Sequence, residues 1–293
     1  MSKATNTSIT PGKVRKKIAN IFVHIILAIL AFIWVLPIFW VILTSFRAKP
    51  GSYVTTFFPE SYTLDNYKKI FTDTSILNFP KMFMNTLIIA ICVCIISTVF
   101  VLSVSYCMSR MRFRMRKPLM NVAMILGLFP GFMSMIAVYY ILKVFGLTDG
   151  SMIRLSLIIV YSAGTGLGFY VAKGFFDTIP KALDEAAIID GATRWQIFTK
   201  ITIPLSKPII VYTILTSFMA PWLDFIFAKV ICRAEASQFT VAIGLWKMLE
   251  KEYINSWYTS FAAGAVVVSV PIAILFLFTQ KFYVEGMSGA VKG

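Results

Sequence analysis

Charge is scarce in this chain. Only 14% of its 293 residues are charged while 58% are hydrophobic, and the mean hydropathy is +0.78. Soluble globular domains carry about 25% charged residues and seldom string together the 18 or so apolar residues that demand a bilayer. The deficit excludes a water-soluble fold and makes lipid the working solvent. Acidic groups are scarcest, 13 against 28 Lys plus Arg, leaving a net charge of +15. The single histidine, His24, lies a short way past Lys17, where a neutral ring serves as an interfacial anchor. Cys92, Cys94, Cys107 and Cys232 fall in or near apolar runs without metal-ligand spacing and read as packing residues. No GxxxxGK[ST] phosphate loop, HExxH or nucleophile elbow occurs. The chain is therefore expected to hold no catalytic, metal or cofactor site of its own, and any energy it uses must come from a partner.

Long apolar runs are plentiful. Six charge-poor segments, 18–46, 82–108, 118–142, 155–172, 208–228 and 254–279, can each supply about 20 residues, enough to cross about 30 Å of hydrocarbon. The fold class expected is an all-α polytopic membrane protein with six transmembrane helices. The first run is too long for a cleaved secretory signal, whose apolar region is about 7 to 15 residues. The fourth is the shortest and holds Gly164, Gly166 and Gly168, which suit close helix contact. Pro37, Pro130 with Gly131, and Pro271 punctuate the spans, and LGLFPGF is a candidate bend in the third.

Basic residues orient the chain. Lys3, Lys13, Arg15, Lys16 and Lys17 precede the first span; Arg110, Arg112, Arg114, Arg116 and Lys117 follow the second. The positive-inside rule places both groups, the 173–207 connection and the end of the chain in the cytoplasm, with 17 Lys plus Arg inside against 11 outside. RMRFRMRK lies beside membrane, so anchoring to anionic lipid explains it better than nucleic acid, and no nucleic-acid partner is expected. Outside, SYTLDNYKKIF predicts a short surface helix, GLTDG a tight turn, and 229–253 a small lobe.

Candidates for a solute path come from the spans. Asp224, in APWLDFIFAK beside Trp222, either lines the path or caps a helix at the interface; a local pairing with Lys229 is disfavoured by the spacing. Tyr139, Tyr140, Tyr161, Ser162, Tyr170, Trp222 and Trp257 suit sugar faces and hydroxyls, and also the aromatic belts of an interface. The absence of a basic residue within the spans favours a neutral solute.

The most informative segment is EAAIIDGATRWQIFTKITIPLSKP, residues 185–208, between the fourth and fifth spans. Thr178 as N-cap and Pro180 in the first turn predict a helix through KALDEAAII, with Ala182, Ala186 and Ile189 on an apolar face and Leu183, Ala187 and Asp190 on a mixed one. Gly191 supplies a sharp turn, and a second piece restarts at Thr193 with Trp195, Phe198, Thr199 and Ile201 close together before Pro204 and Pro208. Such an apolar surface either docks in a partner's groove or lies on the membrane.

Glu185, Ala186, Ala187, Gly191, Ile201 and Pro204 resemble the EAA motif of permease subunits of binding-protein-dependent ABC importers. DEAAIIDGA is closer to the carbohydrate branch, and GMSGAVKG at 286–293 resembles the tail of MalG-type permeases. One departure is Ile203, where leucine is usual. The resemblance implies the type I importer permease (MetI-like) fold, with a basic tail at 1–17, one permease domain at 18–293, a coupling segment at 178–208 and a cytoplasmic tail at 280–293. It implies a related second permease (MalF-like), two cytoplasmic ABC ATPase subunits carrying ATP and Mg2+, an external carbohydrate-binding protein, and a bacterial or archaeal cell membrane with both termini cytoplasmic. The residues it implicates in ATPase coupling are Glu185, Ala186, Ala187, Asp190, Gly191, Trp195, Phe198 and Pro204, with Ser288, Lys292 and Gly293 as a C-terminal ATPase contact; a stretch within 234–252 would meet the binding protein. Tyr139, Tyr161, Tyr170, Trp222 and Asp224 are the substrate-path candidates. The competing class, an ion-coupled secondary transporter, usually shows internal repeats and paired mid-span ionisable groups, and neither is visible here. A membrane scaffold would keep the docking segment without a path.

Overall fold

The computed structural model describes residues 11–52, 56–128, 131–166 and 168–290. Lys3, Pro130, Lys292 and Gly293 lie outside these residues, as does the side chain of Ser288. The described residues are helical, with no β-strand among them and one isolated bridge between Arg47 and Tyr62.

Helix α1 (Pro11–Ser45) already contains Lys13, Arg15, Lys16 and Lys17, four of the basic residues expected in a separate tail. Its apolar side chains are bare, Phe22 at 64% and Trp34 at 77% exposed, as expected of a surface solvated by hydrocarbon. The predicted surface helix forms as α2 (Asp65–Thr72). Asn66 ties it down: its amide donates to the carbonyls of Ser45 (3.0 Å) and Arg47 (2.7 Å), and its Oδ1 accepts from Thr259 (2.8 Å).

The second predicted span is α3 (Phe79–Arg110), unbroken over 32 residues and capped by Asn78, whose side chain accepts from the Lys81 amide. The third is two helices, α4 (Arg116–Gly127) and α5 (Gly131–Val144), neither long enough to cross alone. The gap between α4 and α5 lies within LGLFPGF, and the bend expected at Pro130 falls outside the described residues. The fourth combines α6 (Met152–Gly166) with α7 (Phe169–Thr178). The GLTDG turn forms with positive φ at Gly146 (69°) and Gly150 (53°).

After the short helix α8 (Lys181–Ile189), the helical run α9 (Arg194–Leu205) meets α10 (Lys207–Leu223) at a bend of 82°. Helices α11 (Ile226–Cys232) and α12 (Val241–Met248) follow, then α13 (Ile254–Ala290), which continues through the predicted tail. Among the described residues, four helical spans are long and apolar enough to cross a membrane, 19–45, 79–110, 152–178 and 254–282, and there are five if the bent α9–α10 pair is one span. The remaining predicted span is the divided one.

Two apolar clusters hold the bundle together. One, around Phe79, Ile89, Leu157, Trp222, Ile243 and Trp257, lies toward the start of α3; the other, around Val101, Tyr106, Phe169, Phe176 and Ile209, lies at its basic end. The 229–253 segment is not the projecting lobe expected. Val241, Ile243 and Met248 of α12 are buried against the core, because an apolar helix of this length gains more by covering α3 and α13 than by facing water. Gly244 and Gly264 admit the approach: a Cβ on Gly264 would sit 2.8 Å from Leu245 Cδ2.

Candidate functional site

The segment between the fourth and fifth spans folds as two short helices around a tight turn. Helix α8 starts differently from the sequence reading: Thr178 closes α7 by donating to the Phe175 carbonyl (2.7 Å), and Pro180 itself occupies the cap position, with no side-chain cap. The Ile179–Pro180 step forces extended backbone before the proline and so separates the two helices. At the far end, Gly191 takes φ +80°, its amide bonds the Ile188 carbonyl (3.0 Å), and the Ala192 amide bonds Ala187 (2.9 Å). This pair of reversed bonds is a Schellman closure, which needs a left-handed residue at the glycine position.

Helix α9 opens with a reciprocal cap: the Thr193 hydroxyl accepts from the Gln196 amide and the Gln196 side chain accepts from the Thr193 amide (2.7 Å). Phe198–Thr202 is a π turn immediately ahead of Pro204. Proline lacks an amide hydrogen and its ring crowds the carbonyl one turn back, and a locally widened helix accommodates both. Ser206, buried and donating to the Thr202 carbonyl (2.6 Å), marks the corner into α10.

The faces sort cleanly. Ile189 is 85% and Trp195 70% exposed, flanking the Gly191 turn, and Ala182, Glu185 and Ala186 are exposed beside them. Trp195 leans on Phe198 (5.7 Å between ring centroids), which in turn packs on Tyr106 of α3 (4.7 Å). Asp190, Gly191, Ala192, Gln196, Lys200 and Ile201 line a small recess of about 250 Å³. Pro204 is exposed and belongs to the final turn before the corner.

Sequence reasoning missed what supports this surface. Asp184 is the buried residue of α8, and Arg110 at the end of α3 faces it with Nε 3.4 Å from Oδ2, the two side chains 2% and 9% exposed. The same guanidinium donates through Nη2 to the carbonyls of Phe176 and Ile179, both at 2.8 Å. Arg110 had been counted only among the membrane anchors. A clue was available: it is the first residue of the basic run, still within helical reach of the span.

A second locus forms around Asp224. The carboxylate sits where α10 ends and α11 begins, with extended backbone (ψ 117°). It accepts from the amides of Phe227 (3.2 Å) and Ala228 (3.0 Å) and from the Tyr161 hydroxyl (2.6 Å). Both residues line a cavity of about 460 Å³ with Ser134, Val138, Gly164 and Phe227. Capping and lining, set as alternatives for Asp224, coexist. The Lys229 ammonium lies over the Phe239 ring instead (5.1 Å).

The other path candidates are not brought to this cavity. Trp222 is buried against Phe83 and Phe218. The Tyr139 hydroxyl accepts from Arg233 (2.6 Å), and Tyr170 donates to the Met120 carbonyl while stacking on Phe169. Trp257 is buried beneath the Lys69 ammonium, and Tyr140 is exposed. No group of three or more metal-ligating side chains occurs among the described residues.

Several helices long and apolar enough to cross a bilayer, with an exposed apolar elbow beside the bent α9–α10 pair, make this a multi-pass membrane protein. The chain belongs to the binding-protein-dependent transport system inner membrane component family, whose pattern matches residues 102–287. It is 33% identical to the galactooligosaccharides transport system permease protein GanQ of Bacillus subtilis (strain 168), over 96% of this chain and 98% of that one. It is 32% identical to the maltodextrin transport system permease protein MdxG of the same organism, over 94% and 96%. The maltose/maltodextrin transport system permease protein MalG of Escherichia coli (strain K12) is 34% identical over 64% of each chain. Among solved structures, a chain of a bacterial ABC transporter involved in import of the acidic polysaccharide alginate superposes with a TM-score of 0.73 at 22% identity, covering 92% of this chain and 98% of that chain. That likeness speaks for the fold alone.

Proposed function

We propose that this chain forms half of the pathway through which an ATP-driven importer moves a neutral sugar or oligosaccharide, handed over by an external binding protein. A related, MalF-like permease supplies the other half, and two ABC ATPase subunits in the cytoplasm hold ATP and Mg2+. The observation that carries this reading is the exposed apolar pair Ile189 and Trp195 on either side of the Gly191 turn. A soluble protein's groove buries such anchors, and membership of a binding-protein-dependent transport family supports reading that groove as an ATPase's. On this reading the basic connections 110–117 and 173–207 and both termini are cytoplasmic, and Ser288, Lys292 and Gly293 reach toward the ATPases.

The neutral character of the cargo is supported by the galactooligosaccharide and maltodextrin named for the relatives.

The test is reconstitution of the chain with its second permease and ATPase subunits in liposomes, with the cognate binding protein and a panel of labelled sugars. ATP-dependent uptake of a neutral oligosaccharide is expected. Uptake driven by a proton or sodium gradient without ATP would overturn the proposal, as would uptake confined to uronate oligomers.

A further inference from the structure

Helix α3 is the one span with neither proline nor glycine in its interior; its proline, Pro80, stands in the first turn. Pro37 lies inside α1, Pro221 inside α10, Pro271 inside α13 and Gly164 inside α6, while the third span is shared between α4 and α5. Thirty-two residues of unbroken helix with no kinking residue in the interior make a rod about 48 Å long.

Each end of this rod grips another segment through buried side chains. At the basic end, Arg110 holds the carbonyls of Phe176 and Ile179 and faces Asp184, Ser109 donates to Asp177 (2.6 Å), and Tyr106 donates to the Arg194 carbonyl (3.2 Å). At the other end, Asn85 donates to the carbonyls of Ser237 (3.0 Å) and Phe239 (3.2 Å), and Thr86 accepts from the Val241 amide (2.9 Å). That last bond caps α12 from outside, because Thr240, its own N-cap residue, makes no side-chain cap. Buried bonds of this kind have no water to replace them, so each grip holds while the bundle moves.

We propose that α3 is the rigid link that carries the state of the 237–241 segment across the membrane to the coupling segment, with Asn85 and Arg110 as the positioning residues at its two ends. The inference rests on the reading of α8 and α9 as the ATPase-docking surface and of 234–252 as the face that meets the binding protein. A signal crosses only if both ends of one element are displaced together and each site favours one of its positions. The interior of α3 offers no hinge to absorb the displacement.

The test uses the complete reconstituted complex and reads ATP hydrolysis with and without sugar-loaded binding protein. Asn85→Ala is expected to lower the stimulation ratio by about fivefold or more, the lower range of ordinary site-to-site coupling, while basal hydrolysis and ATPase co-purification stay as in the parent. Arg110→Gln is expected to lower the ratio similarly and Arg110→Lys to restore most of it. The decisive variant is the double substitution Ile95→Gly with Val99→Gly. Both positions are more than half exposed, at 61% and 63%, so the change softens the rod without touching either grip. Loss of stimulation there supports transmission through α3; stimulation equal to the parent's overturns it, because purely local roles for the two grips leave this variant unaffected. Should Asn85→Ala not accumulate in membranes, the glycine pair decides alone. Failure of the parent chain to retain the ATPase subunits would instead overturn the docking reading on which the inference rests.

Discussion

The Tyr161 hydroxyl donates to Asp224 Oδ2 at 2.6 Å and so joins the fourth span to the break in the fifth. Asp224 also caps the two amides that open α11, which makes it the more structural partner. Asp224→Ala is expected to cost about 0.5 to 2 kcal/mol through the lost cap, and Tyr161→Phe less, since both amides keep their acceptor. Thermal midpoints of the purified complex in detergent check the order, and a larger loss for Tyr161→Phe would contradict it.

Trp195 and Ile189 present apolar area with little to cover it within the chain. Trp195→Ala should leave membrane insertion intact and weaken ATPase retention by about 2 kcal/mol or more, the scale of an interface anchor. Ile189→Asp should do the same by placing a charge against the partner. Affinity capture of the chain followed by quantitation of co-purified ATPase measures both.

Gly191 has open space where a Cβ would go, nothing lying within 4 Å, so only its φ of +80° resists substitution. Gly191→Asn is therefore expected to retain most uptake, whereas Gly191→Val should lose about 1 to 2 kcal/mol of turn stability and with it docking or coupling. Equal stimulated ATPase activity and uptake in the valine variant and the parent would contradict the assignment of the turn.

Gly264 is the opposite case. A Cβ there meets Leu245 Cδ2 at 2.8 Å and Phe79 Cε2 at 3.2 Å, both in a packed cluster. Gly264→Val should destabilise the fold by about 1 to 3 kcal/mol, and adding Leu245→Ala should return part of the loss. Thermal midpoints of the single and double variants give the comparison.

The long apolar helices, the α2 helix and the turn at Gly191 were legible because each is written locally: apolar length, a polar punctuation followed by aromatics, a glycine. The Arg110 to Asp184 pair was not, since one member ends the second span and the other lies far along the chain in the coupling segment, and each has a plausible local role, one as a membrane anchor and the other as a helix-start carboxylate. Thr178 had the composition of an N-cap, but Pro180 imposes extended backbone ahead of itself, which leaves Thr178 to finish the helix before. Trp222 and Trp257 read equally well as sugar platforms or as core, and burial alone separates those roles. The 229–253 segment looked like a lobe because its charges punctuate it; the apolar face of α12 decides otherwise.

The 82° corner at Ser206 gives the elbow a mechanical meaning. Arms of 12 and 17 residues on its two sides are about 18 and 25 Å long, and they meet nearly at right angles, as in a bell crank. With α10 read as the fifth span, a push or pull on Trp195 along the membrane normal becomes a sideways swing of the far end of α10. The throw grows from the short arm to the long one, and Asp224 rides at the far tip.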